Sequence, residues 1–164
     1  MSLYIGIDPG AAGAVAVLDG NGQIVAINDM PVVKVKVGKT ERCRVSAAML
    51  AHLLDQTAHD TQMVVLERVG GMTGQSASAS FTFGYGAGIV EGVIATLRLP
   101  VALVTPQAWK RSAGIASDKG AAREAAIRMW PAHAHLFARV KDDGRAEAAL
   151  IARHGWMAVS RAAA

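Results

Sequence analysis

One cysteine, Cys43, stands in 164 residues. An internal disulfide is therefore excluded, as is a zinc knuckle, which needs further thiols; a reducing cytoplasm fits that usage. No run of 18 apolar residues occurs, and the first ten residues lack the basic start and apolar stretch of a signal peptide, so neither a membrane span nor export is expected. Five prolines, with no Gly/Ser tract, fixed-period repeat or block of like charge, leave nothing to divide the chain. One domain over residues 1–164 is expected. Also missing are a GxxxxGK[ST] loop, an HExxH pair among His52, His59, His133, His135 and His154, and a nucleophile elbow around Ser112 or Ser117, which leaves P-loop, zinc-hydrolase and serine-hydrolase chemistry without a basis.

Aromatic residues make up only 5% and charged residues 18%, while 52% are hydrophobic. The apolar content comes largely from Ala, Val, Leu and Ile, the mixture expected where helices cover a buried sheet, so the fold class is α/β. Short apolar runs at Leu3–Asp8, Gly13–Leu18 and Gln23–Ile27, separated by Asp-Pro-Gly and Asp-Gly-Asn-Gly, predict an antiparallel meander. Helical spacing of Met49, Leu50, Leu53 and Leu54 predicts a helix within 45–58, and Met63–Leu66 a strand ending at Glu67. Residues 75–99 suit a helix of about six or seven turns, and Val101–Thr105 a further strand. Thr105-Pro106 caps the next helix, Ser117 or Asp118 a helix to Met129, and Asp142 or Asp143 a last helix through Arg153.

Acids fall at informative places in this pattern. Asp8 ends the first strand, Glu67 ends the fourth, and parallel pairing of those strands would bring both carboxylates to one rim. Asp143 and Glu147, four apart at a helix start, share a face. Each also has a plainer use: Asp8 in an Asx turn, Glu67 paired with Arg68, Asp143 as an N-cap. Four converging carboxylates repel one another unless a cation lies between them. Oxygen-only donors select hard ions, Mg²⁺ with Mn²⁺ as substitute, and two such ions suit hydrolysis of a phosphodiester.

Taken together, Ile5-Gly6-Ile7-Asp8-Pro9-Gly10, Val65-Leu66-Glu67-Arg68-Val69, Gly84–Val90, Leu99-Pro100-Val101, Pro106–Lys110, Gly114–Lys119 and Arg145–Ala152 resemble the RuvC family of Holliday junction resolvases, within the ribonuclease H-like superfamily. The resemblance runs from Tyr4 to about Gly155. It implies a five-stranded mixed sheet flanked by helices on both faces and a two-Mg²⁺ centre. By it Asp8, Glu67 and Glu147 match catalytic positions, Glu147 standing where cellular members carry Asp. The fourth acid usually lies three residues before the last, where this chain has Gly144, so Asp143 is assigned with Asp142 as the alternative. Lys110 and Lys119 match positions that contact the scissile phosphate region. The implied activity is paired, symmetric cleavage of four-way DNA junctions to 5′-phosphate ends, and the departures from cellular members look like a phage or prophage version. The family's junction-wedging aromatic is replaced by Gly70-Gly71-Met72, with Met72, Phe81 or Phe83 as the substitute.

Lys34, Lys36, Lys39, Arg42 and Arg44 stand against one acid, Glu41, in residues 32–45. Alternation there would line lysines along one face of a strand or ribbon, either for DNA phosphates or to protect an edge. Arg68 and Arg111 join the expected DNA contacts, and Trp109, Trp130 and Trp156 are expected in the core. Ser76, Ser80, Gly84, Gly88 and Gly92 recur every four residues, a small-residue stripe that fits packing on the protein's own sheet or a homodimer through helix 75–98. Two rivals remain: a related nuclease acting on RNA or on flap and fork DNA, and an inactive nucleic-acid-binding module.

Overall fold

The structure is a computed structural model, and it describes residues 2–70, 74–116, 118 and 120–162. Strands β1 (Leu3–Asp8), β2 (Ala14–Leu18) and β3 (Ile24–Asp29) form the antiparallel meander. β4 (Val32–Val37) and β5 (Thr40–Val45) form a separate two-stranded ribbon. Helix α1 (Ala47–Asp55) leads to β6 (Thr61–Glu67), α2 (Ala77–Thr96) to β7 (Val101–Val104), and α3 (Pro106–Ala113), α4 (Ala121–Met129) and α5 (Asp143–Ala162) follow. β6 pairs parallel to β1 and β7 parallel to β6, giving one five-stranded mixed sheet of order β3-β2-β1-β6-β7. No helix among the described residues is long and apolar enough to cross a membrane.

The period-two pattern of the strands divides the core. Leu3, Ile5, Ile7, Val64 and Leu66 point to one face, where Leu50 and Leu54 of α1 and Val90, Val93 and Ile94 of α2 cover them. Tyr4, Ala14, Ala16 and Val65 point to the other, under Trp109 of α3, Ala125 and Ala126 of α4, and Ala146–Ala152 of α5. Where α5 meets β1 this second layer is built of small residues. An ideal Cβ at Gly6 would overlap the Ala148 carbonyl oxygen and the Ala152 backbone nitrogen, so α5 lies directly on the backbone of β1.

Several boundaries depart from expectation for local reasons. Ser46 and Ser76 accept from the Met49 and Ala79 backbone N–H groups, starting α1 and α2 slightly late. α4 is capped at Gly120, in the left-handed region at φ +83°, rather than at Asp118; Ser117 lies outside the described residues. α5 runs nine residues past Arg153, because Gly155 seats against Val65 in close packing instead of ending the helix. Gly6→Ala is expected to destabilise the fold by at least the about 1–3 kcal/mol typical of overpacking. A urea midpoint equal to that of the parent chain would show that α5 does not sit as described.

Candidate active site at the sheet rim

Ile7 pairs with Leu66 across the parallel β1–β6 ladder, which leaves Asp8 and Glu67 side by side at the carboxyl ends of adjacent strands. Both lie on the face that α5 covers, following the alternation of Gly6 and Asp8 and of Val65 and Glu67. Helix α5 adds Glu147 one turn from its start. Asp8 is largely buried, and its pKa is raised from 3.8 to about 7 by burial first, then by Glu147 and Glu67; the Gly10 N–H, 3.3 Å from Oδ1, opposes the rise. Glu147 is pushed upward by burial and by Glu67, with Lys110 pulling it down and Asp143 pushing it up. Three carboxylates thus share one field, and a fourth reaches it.

Other side chains hold this arrangement. The indole Nε1–H of Trp109 donates to Glu67 Oε1 at 2.8 Å, and the Lys110 ammonium lies 5.3 Å from the Trp109 ring centroid. Lys110, Asp143 and Glu147 line one small cleft of about 140 Å³, with Asp118 and Gly120 at its edge. Arg123 of α4 donates to Asp143 Oδ1 at 2.6 Å. Asp142, by contrast, is buried and tied down: the Arg139 backbone N–H donates to its Oδ2 at 2.9 Å and the Arg139 guanidinium to its Oδ1 at 2.8 Å. Those bonds hold its carboxyl below the ordinary range. Neighbouring residues 142 and 143 therefore do different work, one tying the chain entering α5 and one facing the acid cluster.

No family model and no curated protein matches this chain. Among solved structures, Thermus thermophilus RuvC in complex with a Holliday junction substrate aligns with a TM-score of 0.63 at 15% identity, covering 98% of this chain and 96% of that one. A Thermus thermophilus RuvC structure aligns with a TM-score of 0.55 at 15% identity, covering 97% and 96%. The chain has the RuvC fold.

Within this RuvC fold position 144 is restricted to glycine by its surroundings. A Cβ at Gly144 would lie 2.5 Å from the Ala12 carbonyl oxygen and 2.9 Å from Gly13 Cα, so no side chain fits at 144, and the acid lining the cleft beside Glu147 is Asp143. The same contact presses the start of α5 onto the turn that follows Asp8. All-carboxylate donors fit a hard divalent cation, and the upward shifts of Asp8 and Glu147 are those that such a cation would reverse. As they stand, no three His, Cys, Asp or Glu side chains among the described residues group tightly enough to hold one ion.

The basic residues are placed less uniformly. Arg68 and Arg111 are exposed, Lys110 is at the cleft, and Lys119 and Met72 lie outside the described residues. Cross-strand pairing of Arg44 with Val33, Arg42 with Val35, and Lys34 with Cys43 splits the ribbon: Lys34 and Lys36 occupy one face, Arg42 and Arg44 the other. One basic face was expected from the lysines; two exist, because Arg42 and Arg44 are out of phase with them across the ladder. Lys39 is exposed near the hairpin end. Gly84, Gly88 and Gly92 meet nothing within 4 Å, so the stripe does not pack on the protein's own sheet.

Sequence reasoning missed Trp109 as a holder of Glu67 and Arg123 as the partner of Asp143. An indole in the core always needs an acceptor, but nothing local to residues 106–110 points to residue 67. Because folding raises the Asp8 pKa, the folded state binds more protons than the unfolded chain between about pH 4 and 7, and stability falls as pH rises through that window. In EDTA, Asp8→Asn should therefore be more stable than the parent at pH 8, by up to about 4 kcal/mol, and no more stable at pH 3. Thermal melts at the two pH values check this; equal melting temperatures at pH 8 would refute the strained carboxylate.

Proposed function

We propose that this chain is a divalent-metal-dependent endonuclease that resolves four-way DNA junctions by paired, symmetric hydrolysis, leaving 5′-phosphate ends. The observation that carries this reading is the convergence of Asp8, Glu67 and Glu147 at one sheet rim, with Asp143 one helical turn away. The fold it occurs in is shared over nearly its full length with a structure solved on a Holliday junction. Asp8, Glu67, Asp143 and Glu147 are the proposed donors, with Glu67 oriented by Trp109 and Asp143 balanced by Arg123. Bound as a pair, Mg²⁺ or Mn²⁺ would supply the acidity that turns water into a nucleophile at neutral pH and stabilises the departing 3′-oxygen. Lys110, which acts on Glu147 across the cleft, and Lys119 offset charge on the scissile phosphate.

DNA reaches the centre across basic surface. Lys34, Lys36, Lys39, Arg42, Arg44, Arg68 and Arg111 are the proposed phosphate contacts. Two opposed strands need two equivalent centres, and a two-fold homodimer supplies them. The open Gly84-Gly88-Gly92 face of α2 supports that assembly, since the helix-propensity cost of about 1 kcal/mol per glycine is not offset within one chain. Gly88→Arg is expected to sediment as a monomer, to keep junction nicking and to lose coordinated double cuts; a dimer that survives this change would move the interface elsewhere.

The direct test incubates the chain with a mobile four-way junction and a matched linear duplex, in Mg²⁺ and in EDTA, beside Asp8→Asn and Glu147→Gln. Symmetric nicks confined to the junction are expected, abolished by EDTA and reduced at least 100-fold by either substitution, the scale of losing a group that stabilises transition-state charge. Metal-dependent cutting of flaps, forks or RNA in place of junctions would keep the centre and reassign the substrate. Tight binding without cutting in Mg²⁺ or Mn²⁺ would make the chain a nucleic-acid-binding module.

A further inference from the structure

A second site lies beside the acid centre, between the ribbon and α2. The Arg42–Val45 segment of β5 and Ala79, Thr82, Phe83, Tyr85 and Gly86 of α2 enclose a cleft of about 260 Å³ whose floor is Pro9 and Ala11. Those floor residues flank Gly10, the residue that donates to Asp8. Phe83 stands 3.7 Å from where a Cβ at Gly10 would be, so the aromatic wall abuts the turn carrying Asp8. Arg44 is placed over the Tyr85 ring, 5.5 Å from its centroid, and Tyr85 stacks with Phe81 at 6.1 Å. Arg42 reaches Ser78 Oγ at 3.0 Å, fixing the ribbon against the helix.

Two exposures at this cleft are unexplained by folding: Tyr85, which lines it, is 49% exposed, and Phe81, which stacks on Tyr85 beside the cleft, is 69% exposed. Exposed, clustered aromatics mark a binding surface, and these are flanked by guanidinium groups. The volume is below the roughly 300–1,000 Å³ of drug-sized ligand sites, which suits one planar heterocycle. An apolar peptide side chain would fill such a space but give Arg42 and Arg44 no charge to neutralise.

We propose that this cleft takes one unpaired nucleobase of the branched DNA, packed against Phe83 and Tyr85, with Arg44 leaving the Tyr85 ring to meet, together with Arg42, the phosphates beside it. This rests on the nuclease reading and adds to it a substrate subsite. A base in a duplex has both faces covered by its neighbours; a narrow cleft walled by Phe83 and Tyr85 admits only a base that has left the stack. The adjoining Pro9–Ala11 floor puts that base next to the phosphate served by Asp8. Local opening of the branch point is thereby coupled to alignment of the strand to be cut. Phe83, one of the residues expected to replace the family's wedging aromatic, is thereby placed as a wall of a receiving site built from two elements.

The test uses the full chain carrying Asp8→Asn and four-way junctions with 2-aminopurine at successive positions flanking the exchange point, each matched by a junction abasic at that position. Quenching is expected at one position. There Tyr85→Ala should restore fluorescence and weaken binding about 5- to 140-fold, while Tyr85→Phe keeps both. On the junction abasic at that position, Tyr85→Ala and its parent should bind alike. Arg44→Gln should lower the salt slope of binding by about one, which Tyr85→Ala leaves unchanged. Tyr85→Ala binding as tightly as its parent, or losing equal affinity on the intact and abasic junctions, overturns the subsite. If Tyr85→Ala in the otherwise native chain still cuts junctions like the parent, only the subsite fails; if the native chain neither binds nor cuts branched DNA, the nuclease reading fails and the subsite with it.

Discussion

Everything at the acid centre depends on how close α5 comes to β1. At Gly6 the helix backbone touches the strand backbone, with Ala148 and Ala152 as the helix side of the contact, and further along α5 Gly155 admits the Val65 side chain of β6. A helix resting on larger side chains stands about 8–10 Å from its neighbour's axis; here small residues remove that spacer. The gain is positional. Glu147, one residue before Ala148, is carried in toward Asp8 and Glu67, and Gly144 locks the start of the same helix onto the turn after Asp8. The packing that closes the core and the approach of the carboxylates are one contact.

That approach has an electrostatic cost which the surrounding residues reduce without removing. Trp109 donates to Glu67, Gly10 to Asp8, Lys110 acts on Glu147, and Arg123 holds Asp143. Asp8 nonetheless stays near neutrality in its titration, because burial outweighs these contributions. Around the start of α5 the opposite holds: Arg139 and Arg145 flank buried Asp142, and Arg145 also pairs with Asp29 at 2.6 Å, so those carboxyls fall below their ordinary range. A charge-satisfied anchor thus stands next to a charge-frustrated site, the pattern expected where stability and chemistry are divided among neighbouring residues.

Much of the fold was legible in the sequence because the strands alternate cleanly and Asp-Pro-Gly and Asp-Gly-Asn-Gly punctuate them. The rim location of Asp8 and Glu67 followed from strand ends and required only parallel pairing. What escaped was long-range. No spacing rule links Trp109 to residue 67 or Arg123 to residue 143, and the different surroundings of Asp142 and Asp143 depend on the Arg139 guanidinium and on the space denied at Gly144. The ribbon's basic residues were legible as a cluster. Their division between two faces was not, since it depends on the hairpin register, which shifts every side chain when it slips by one. The outward aim of the glycine stripe likewise depended on which side of α2 the sheet took.

The contact between Gly6 and α5 also has a consequence in time. Asp8 and Glu147 are separated by most of the described sequence, and chains grow at about 5–20 residues per second, amino end first. The meander and its carboxylate emerge many seconds before the helix that completes the cluster. Until α5 docks, the rim holds Asp8 and Glu67 without Glu147 or Asp143. The helix that completes the cluster is made well after the rim it completes, so a chain not yet grown through α5 carries Asp8 and Glu67 without the other two carboxylates.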